Sequence, residues 1–272
     1  MTICFLCKGH KQRKRSKEEQ KHMKRKPQKV ITIANQKGGS GKTTTALALA
    51  QWATSKGYEV LCIDLDNQAN LTTALGGKIG ALTALSFLMG TTSPSSCIQA
   101  TSQGISLVAG HNDLATLKTE AGSALRLKRA LDAIKANFDL VVIDTPPQVG
   151  EAQYNALIAS TDLIITLAPN LFDLQGLYNM ADTAKAIKRT NTDLEVTGYI
   201  LTNYNAQSKL GKTLEEEIAK GAEAYGVPNL GTIRRSISIK EAQVLQQSLY
   251  EYAPKSKPAL DYQAIFERLI TQ

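Results

Sequence analysis

A glycine-rich loop between a predicted strand and a predicted helix constrains this fold more than any other feature. Residues 30–35, VITIAN, have the β-branched enrichment of a buried strand, and the helical pattern of residues 43–56 ends at Gly57. The intervening segment QKGGSGKTT lets successive backbone N–H groups point at a phosphate in front of a helix N-terminus. Strand, glycine loop and helix open a βαβ unit, so the sequence predicts a phosphate-binding α/β fold.

The alternation of apolar strands and helices continues along the chain. We predict further strands at 59–66, 104–110, 139–147, 162–169, 195–205 and 230–233, and helices at 125–137, 151–160, 174–189, 213–225 and 260–270. Nearly continuous apolar strands separated by helices are typical of a mainly parallel sheet with helices on both faces. Because no internal repeat and no long linker follow residue 29, the sequence predicts a single doubly wound α/β domain over residues 29–272.

The basic charge of the chain is concentrated near its N-terminus. Of the 32 Lys and Arg residues, eleven lie within residues 1–29, with only two of the 24 acidic residues, so the formal net charge of +8 belongs to this segment. No apolar run reaches the roughly 18–20 residues that cross a bilayer. The four cysteines are too few for a disulfide scaffold and fit a reducing compartment. We therefore expect a cytosolic protein.

The N-terminal segment leaves alternatives open. We predict a flexible basic arm at residues 1–28. Of all segments of the chain, its charge most favours binding to nucleic acid. A zinc site is a second interpretation, although the spacing of its four candidate ligands fits no standard zinc finger. These candidates are Cys4, Cys7, His10 and His22. A third interpretation takes Met23 as the natural start, with residues 1–22 as an upstream extension.

The loop supplies cations and a hydroxyl for a nucleotide. Lys42 can reach the β and γ oxygens, and the Thr43 hydroxyl can join a Mg²⁺ ion. The loop departs from the standard pattern because Gln36 stands where its first glycine belongs, and because Lys37 is a second lysine. A cation at this position can reach a nucleotide on a facing subunit and neutralise charge on the γ-phosphate. Carboxylates at the ends of predicted strands complete a site suited to Mg²⁺.

The sequence resembles a known family. The string KGGSGKTT is similar to the deviant Walker A motif of the ParA/MinD group of P-loop ATPases, and ANQKGG followed by GKTTTALALA resembles its ParA/Soj branch. Further matches follow in the expected order, DLDNQANLTTALG at 64–76, GISLVAGHNDLATLK at 104–118 and FDLVVIDTPP at 138–147. The resemblance implies ATP and Mg²⁺ as cofactors, ATP hydrolysis, and a homodimer that forms on ATP binding. It also implies DNA segregation by a cytoplasmic, nucleoid-associated protein that binds non-specific DNA and a ParB-type partner.

Carried over by position, the resemblance implies a role for each matching residue. Lys37 matches the lysine that crosses the ATP-bound dimer, Lys42 the Walker A lysine, and Asp66 the residue that positions the attacking water. These three are the predicted catalytic residues. The predicted metal site comprises Thr43, Asp64 and Asp144. The predicted nucleotide site comprises Gly38, Gly39, Ser40, Gly41, Lys42, Thr43, Thr44, Thr202, Asn203 and Arg235.

Basic residues of the C-terminal third are the predicted DNA contacts, because DNA binding without sequence preference rests on phosphate contacts. They are Lys209, Lys212, Arg234, Arg235, Lys240, Lys255 and Lys257. Two positions depart from the family pattern: Arg234 and Asn67 stand where it has proline.

Other functions of the same superfamily fit the sequence less well. A MinD-like membrane ATPase needs a basic amphipathic C-terminal anchor, whereas ALDYQAIFERLITQ has the apolar spacing of a core helix. A tyrosine kinase needs a dense terminal tyrosine cluster, and here Tyr250, Tyr252 and Tyr262 are interspersed with prolines and apolar residues. Neither Cys62 nor Cys97 has the surroundings of an iron–sulfur ligand. A DNA-binding regulator that uses the nucleotide only as a switch remains an alternative.

Overall fold

The structure is a computed structural model and describes residues 28–170, 173–205 and 207–271. Its strands are β1 (Lys29–Ala34), β2 (Val60–Asp64), β3 (Ile98–Ala100), β4 (Ser106–Val108), β5 (Leu140–Asp144), β6 (Asp162–Leu167), β7 (Glu195–Tyr204) and β8 (Asn229–Arg234). Its α-helices are α1 (Lys42–Ser55), α2 (Asn70–Ala74), α3 (Ala84–Met89), α4 (Arg126–Asp132), α5 (Glu151–Ala159), α6 (Asp173–Ile187), α7 (Lys209–Ala224), α8 (Ser238–Val244), α9 (Leu249–Tyr252) and α10 (Lys257–Thr271). Short 3₁₀ segments lie at Pro94–Cys97, Asn112–Thr116, Ser123–Leu125 and Lys135–Asn137.

The strands form one sheet in the order β3-β4-β2-β5-β1-β6-β7-β8. Every neighbouring pair is parallel except β3 and β4, which are antiparallel at one edge. The predicted fold class, a mainly parallel doubly wound sheet, is therefore confirmed. Strand β3 was not predicted, because its three residues IQA are only partly buried and carry no hydrophobic pattern.

Successive side chains of β1 point to opposite faces of the sheet and bury against different helices. Ile31 and Ile33 belong to a cluster with Trp52 of α1 and Phe266 of α10. Val30 belongs to the opposite cluster, which is formed with α3, α4 and α5. Because β1 is buried on both faces, it is the central strand, and the loop that follows it is held between two packed layers.

Helix α1 is almost entirely buried, as its alanine- and leucine-rich sequence predicts. It ends where Gly57 adopts a φ of 86° and its N–H donates to the Thr54 carbonyl at 2.9 Å. At the other end no side chain caps the helix, and no acidic residue lies in its first turn. The first N–H groups of α1 therefore face the glycine loop with their positive partial charge uncompensated by a carboxylate of that turn.

Helix α7 begins four residues before its predicted start at residue 213. The Ser208 hydroxyl accepts a hydrogen bond from the Gly211 N–H at 3.0 Å, which caps the helix ahead of Lys209. The short helices α2, α3, α8 and α9 were not predicted, because four to seven residues are too few to establish a helical period.

The predictions for the N-terminus fall largely outside the structure. The arm at residues 1–28, apart from Gln28, and the candidate zinc ligands lie outside the described residues. Within the described ranges, no helix is both long and apolar enough to span a bilayer.

Candidate nucleotide-binding site

The glycine loop is wound so that its backbone, not its side chains, lines the space in front of α1. Gly39 and Gly41 adopt φ values of 75° and 88°, a left-handed conformation that other residues rarely take. Gly38 has open space on the side where a Cβ would project. The Lys42 ammonium donates to the Lys37 carbonyl at 2.9 Å, and this bond connects the beginning of the loop to the first residue of α1.

The end of β7 contacts this loop through Thr202. The Thr202 hydroxyl is 2.8 Å from the Ser40 carbonyl and 3.2 Å from the Leu167 carbonyl. A Cβ on Gly41 would lie 3.0 Å from the Thr202 side chain, so the loop can approach β7 only because this position is glycine. Thr202 was predicted as a base contact, and its hydroxyl here holds the phosphate loop.

The other predicted base contacts lie at the same end of β7 and β8. Asn203 is exposed and adopts a φ of 52°. The Arg235 N–H donates to the Tyr204 carbonyl at 2.9 Å, while its side chain is exposed. Thr44, by contrast, accepts a hydrogen bond from Gln243 at 3.3 Å and so links α1 to α8.

Asp64 and Asp144 lie side by side where β2 and β5 end, because the two residues are paired in the strand register. Asp64 is fully buried, and its oxygens accept bonds from the Thr72 N–H at 2.8 Å, the Thr72 hydroxyl at 2.7 Å and the Asp66 N–H at 3.1 Å. Burial raises the pKa of Asp64 to about 6, although the bonds from Thr72 and Asp66 favour the charged form.

Asp144 is the least satisfied polar side chain of the site. Both of its oxygens are buried without a hydrogen-bond partner among the described residues. Burial and the neighbouring Asp64 raise its pKa well above the ordinary value, and Thr43 and Lys42 act in the opposite direction. A buried carboxylate with two unsatisfied oxygens is where a cation or its water shell would be stabilised most.

Lys42 is the buried cation of the site. Burial lowers its pKa, and the carboxylates of Asp144, Asp66 and Asp173 counteract this effect. Asp66 is also buried, and one of its oxygens accepts the Gln68 N–H at 3.0 Å. The structure thus gathers the predicted residues Lys42, Asp66 and Asp144 in one electrostatic unit.

Lys37 points away from the loop and toward the beginning of α6. Its ammonium donates to Asn170 Oδ1 and lies 3.5 Å from Asp173 Oδ1. The Asp173 side chain is fully buried. The sequence predicted the position of Lys37 in the loop but not this partner.

The predicted DNA contacts gather at the edge where β7 and β8 end, which we call the carboxyl edge. Lys209 and Lys212 begin α7, and Lys240 lies on α8. Lys255 precedes α10 and Lys257 is the first residue of this helix, whose Asp261 lies beside the end of β8. All five side chains are exposed.

Arg234 differs from the other predicted DNA contacts. Its guanidinium makes a bidentate pair with Asp261, with nitrogen–oxygen distances of 2.6 Å and 2.9 Å, and its N–H donates to the same carboxylate at 3.0 Å. This pair ties β8 to α10 at the position where the family pattern has proline.

Several contributors to the site were missed in the sequence. Thr72 of α2 donates to Asp64 and accepts the Gly110 N–H at 2.9 Å, so it links the two loops that follow β2 and β4. A Cβ on Gly110 would lie 2.7 Å from the Asp64 carboxyl carbon. Asn170 and Asp173 complete the surroundings of Lys37. Thr72 and Gly110 lie within motifs that the resemblance quoted, which was the available signal.

No group of three or more His, Cys, Asp and Glu side chains is arranged as a metal cage within the described ranges. The predicted metal site has only two carboxylates, Asp64 and Asp144, and Mg²⁺ commonly takes one or two and completes its shell with phosphate and water.

The fold and the loop define the class of this protein as a P-loop nucleoside triphosphatase. A family model described as an AAA domain matches residues 28–196. The chain is 33% identical over 242 residues to the sporulation initiation inhibitor protein Soj of Bacillus subtilis, covering 86% of this chain and 95% of that protein. It is 30% identical over 262 residues to the chromosome partitioning protein ParA of Caulobacter vibrioides, covering 92% and 97%.

A solved structure has a similar fold. Cobyrinic acid a,c-diamide synthase from Mycobacterium smegmatis, with bound ATP analogue and magnesium, superposes with a TM-score of 0.77 at 31% identity, covering 89% of this chain and 94% of that one. The chain therefore belongs to the AAA-domain family, within its ParA/MinD group of P-loop ATPases. The resemblance predicted from KGGSGKTT is confirmed.

Proposed function

We propose that this chain binds ATP with Mg²⁺ at the glycine loop and hydrolyses it in a homodimer that acts in DNA partition. The observation that carries the proposal is the convergence at one point of the uncapped α1 N-terminus, buried Lys42, and Asp66 and Asp144. A polyphosphate supplies the negative charge that the helix end and Lys42 lack, and a divalent cation supplies the positive charge that the two carboxylates lack.

The residues present fit Mg²⁺. Asp144 offers two buried oxygens that have no hydrogen-bond partner within the described part of the chain, and Thr43 at the start of α1 offers a hydroxyl. In this proposal Thr43 and Asp144 would hold the ion, and Asp64 would support its shell while Thr72 keeps Asp64 in place. The ion would neutralise charge on the transferred phosphoryl group.

Each remaining polar residue has a distinct task. The loop N–H groups and Lys42 bind and orient the phosphates. Asp66 is buried, and among the described residues the Gln68 N–H is the one hydrogen-bond donor to its carboxylate, so it retains acceptor capacity for positioning the attacking water. Lys37 would act on the nucleotide of a facing subunit, which makes the homodimer the hydrolytic unit.

DNA binding is the second part of the proposal. Exposed lysines at the carboxyl edge lie beside the loop that binds nucleotide, so a dimer formed across this edge would combine two such sets on one surface. The relative in C. vibrioides is named a chromosome partitioning protein, and this supports a role in partition. In this role a ParB-type partner would stimulate turnover of ATP. We accordingly place the protein in the cytoplasm on nucleoid DNA.

A MinD-like role at a membrane receives less support. The apolar side of α10 is buried against the sheet through Tyr262, Phe266 and Ile270, so this helix does not present an apolar face to a bilayer.

Tyr262 also bonds Thr45 of α1 at 3.0 Å, and Tyr250 donates to the Ala48 carbonyl at 3.2 Å, which agrees with structural roles for these two tyrosines.

Turnover of ATP tests the first part. We expect slow Mg²⁺-dependent phosphate release that rises when duplex DNA and a centromere-binding partner are both present. Asp66→Ala should keep binding of a non-hydrolysable ATP analogue and lose turnover, and Lys42→Ala should lose both. The matched control Asp139→Ala, an exposed-loop carboxylate at the far end of the sheet, should retain both. Absence of turnover under every condition, with nucleotide binding intact, would leave only the nucleotide-switched regulator.

Salt dependence of DNA binding tests the second part. Lys209→Ala combined with Lys212→Ala should weaken binding to any duplex and reduce the slope of log affinity against log salt by roughly 1 to 2. Lys56→Ala is the matched control, because Lys56 is exposed but lies at the end of α1 remote from the loop. A chain starting at Met23 that shows an unchanged slope would contradict a DNA-binding role of residues 1–22.

A further inference from the structure

Asp64 and Asp144 occupy equivalent positions in the sheet but have different surroundings. The two residues are paired in the register of β2 and β5, and both are fully buried. Asp144 has no hydrogen-bond partner for either oxygen among the described residues, whereas Asp64 accepts bonds from three donors of its own chain. Three bonds use most of the roughly four acceptor positions of a carboxylate, so Asp64 is held in one orientation.

Thr72 supplies two of these three donors. Its N–H and its hydroxyl donate to Asp64 Oδ2 at 2.8 Å and 2.7 Å. The hydroxyl oxygen in turn accepts the Gly110 N–H at 2.9 Å. A hydroxyl has a single proton, and Gly110 is the donor in the second bond, so the proton of Thr72 is used for Asp64. Gly110 comes shortly after β4, which is the neighbour of β2, so Thr72 is connected to a second strand of the sheet.

The third donor is the backbone of Asp66, the residue that we propose positions the attacking water. Its N–H donates to Asp64 Oδ1 at 3.1 Å, and its carbonyl accepts the Ala69 N–H at 3.0 Å. The Asp64 carboxylate therefore contacts Thr72 with one oxygen and the backbone of Asp66 with the other. Rotation of this carboxylate would release the Asp66 N–H and change the position of the Asp66 side chain.

The space at Gly110 is a second condition for this arrangement. A Cβ at this position would lie 2.7 Å from the Asp64 carboxyl carbon and 2.9 Å from the Asp66 carbonyl oxygen, closer than real Cβ atoms come to other atoms. Gly110 is not among the glycines with a positive φ, so its backbone conformation does not require glycine. The close approach of Asp64 and Asp66 is what requires it.

We propose that Thr72 and Gly110 are positioning residues for ATP hydrolysis, because they hold Asp64, and Asp64 holds Asp66 where it can orient the attacking water. This inference rests on the proposed function, in which Asp66 has that task. Both residues act through Asp64 and not through the glycine loop, so they affect the chemical step and not the affinity for nucleotide. A displacement of about 1 Å at a catalytic group can slow a reaction by about a hundredfold.

Two variants change the arrangement in different ways. Thr72→Val removes the hydroxyl and keeps the shape, and Gly110→Ala displaces Asp64 without changing Thr72. Each should lower kcat by about tenfold or more and change the dissociation constant of a non-hydrolysable ATP analogue by less than about twofold. Thr72→Ser keeps the hydroxyl and should restore kcat. The matched control is Thr73→Val, the same change at the next residue, whose hydroxyl donates to the Ala69 carbonyl. It should keep the wild-type kcat.

Hydrogen exchange of single amides, followed by NMR, tests the arrangement without nucleotide or turnover. In Thr72→Val the Gly110 N–H loses its acceptor and the Asp66 N–H bonds a less constrained carboxylate, so both amides should exchange several-fold faster. The Leu65 N–H donates to the Asp144 carbonyl at 3.0 Å and should keep its exchange rate. A general loss of stability would instead accelerate exchange of all three amides. Thr72→Ser should show the wild-type rates.

The outcomes separate this proposal from the proposed function. Slower turnover, unchanged affinity and faster exchange at Asp66 together support it. An unchanged kcat in Thr72→Val, an equal loss in Thr72→Ser, or an unchanged exchange rate at Asp66 overturns it. Should Thr72→Val fail to fold, Gly110→Ala gives the same test through kcat, affinity and exchange at Asp66. A wild-type chain without turnover refutes the proposed hydrolysis and the catalytic part of this proposal, whereas the exchange rates still decide whether Thr72 and Gly110 hold Asp66.

Discussion

Alanine substitutions at the three loop glycines should affect stability to very different extents. At Gly41 the φ of 88° costs roughly 1–2 kcal/mol for a residue with a Cβ. The new Cβ would lie 3.0 Å from Thr202. Displacing Thr202 weakens its bonds to the Ser40 and Leu167 carbonyls, which adds about 1 kcal/mol. Alanine also restricts the unfolded chain and returns about 0.4–1 kcal/mol. The net destabilisation of Gly41→Ala is therefore about 2 kcal/mol.

The other two glycines serve as internal controls. Gly39 has a φ of 75° but open space around it, so Gly39→Ala should lose about 1 kcal/mol from backbone strain alone. Gly38 has neither a positive φ nor a neighbour within 4 Å. Gly38→Ala should therefore be neutral or more stable by about 0.5 kcal/mol.

Urea unfolding of the nucleotide-free protein, followed by circular dichroism, measures this order. The slope of the unfolding free energy against urea should stay constant across the three variants, so that midpoints can be compared. Equal destabilisation by Gly38→Ala and Gly41→Ala would refute the assignment of the cost to backbone conformation and to Thr202. Because Gly38→Ala keeps the fold, loss of ATP binding in this variant would report on the approach of the phosphates to the loop.

Further predictions concern charge and capping. Burial raises the folded-state pKa of Asp64 to about 6, above the unfolded value of about 3.9, so the folded state holds this proton more tightly. Without Mg²⁺, the contribution of Asp64 to the free energy of unfolding should be greatest below pH 4 and fall by about 2–3 kcal/mol up to pH 6. Urea titrations at several pH values should show this trend, and Asp64→Asn should flatten it. Ser208→Ala should lower stability by about 1 kcal/mol with ATP turnover unchanged, since it removes only the cap of α7; altered turnover would contradict this. Arg234→Ala should lower the thermal midpoint because it breaks the pair with Asp261, whereas Arg235→Ala should not; the reverse order would contradict the structural role of Arg234.

Local patterns explain which elements were predictable. Strand β1, the loop and α1 were predicted because β-branched residues, glycines and a helical stretch ending at Gly57 follow one another within 30 positions. Strand β3 and helix α2 were not, since each is short and obtains its stability from neighbours. The early start of α7 depends on Ser208, whose capping bond the hydrophobic pattern does not reveal.

The chemistry of the site divides in the same way. The sequence by itself determined the phosphate loop, its two lysines and the family, because a backbone conformation that needs glycine and a helix that follows it are encoded within a few adjacent residues. Only the tertiary structure decided the partners of these groups. Asp64 is paired with Asp144, which is 80 positions away, by strand register, and Lys37 bonds Asn170 across 133 positions. Such contacts arise from the order in which parallel strands join the sheet, and this order is set by the packing of both faces of the whole domain.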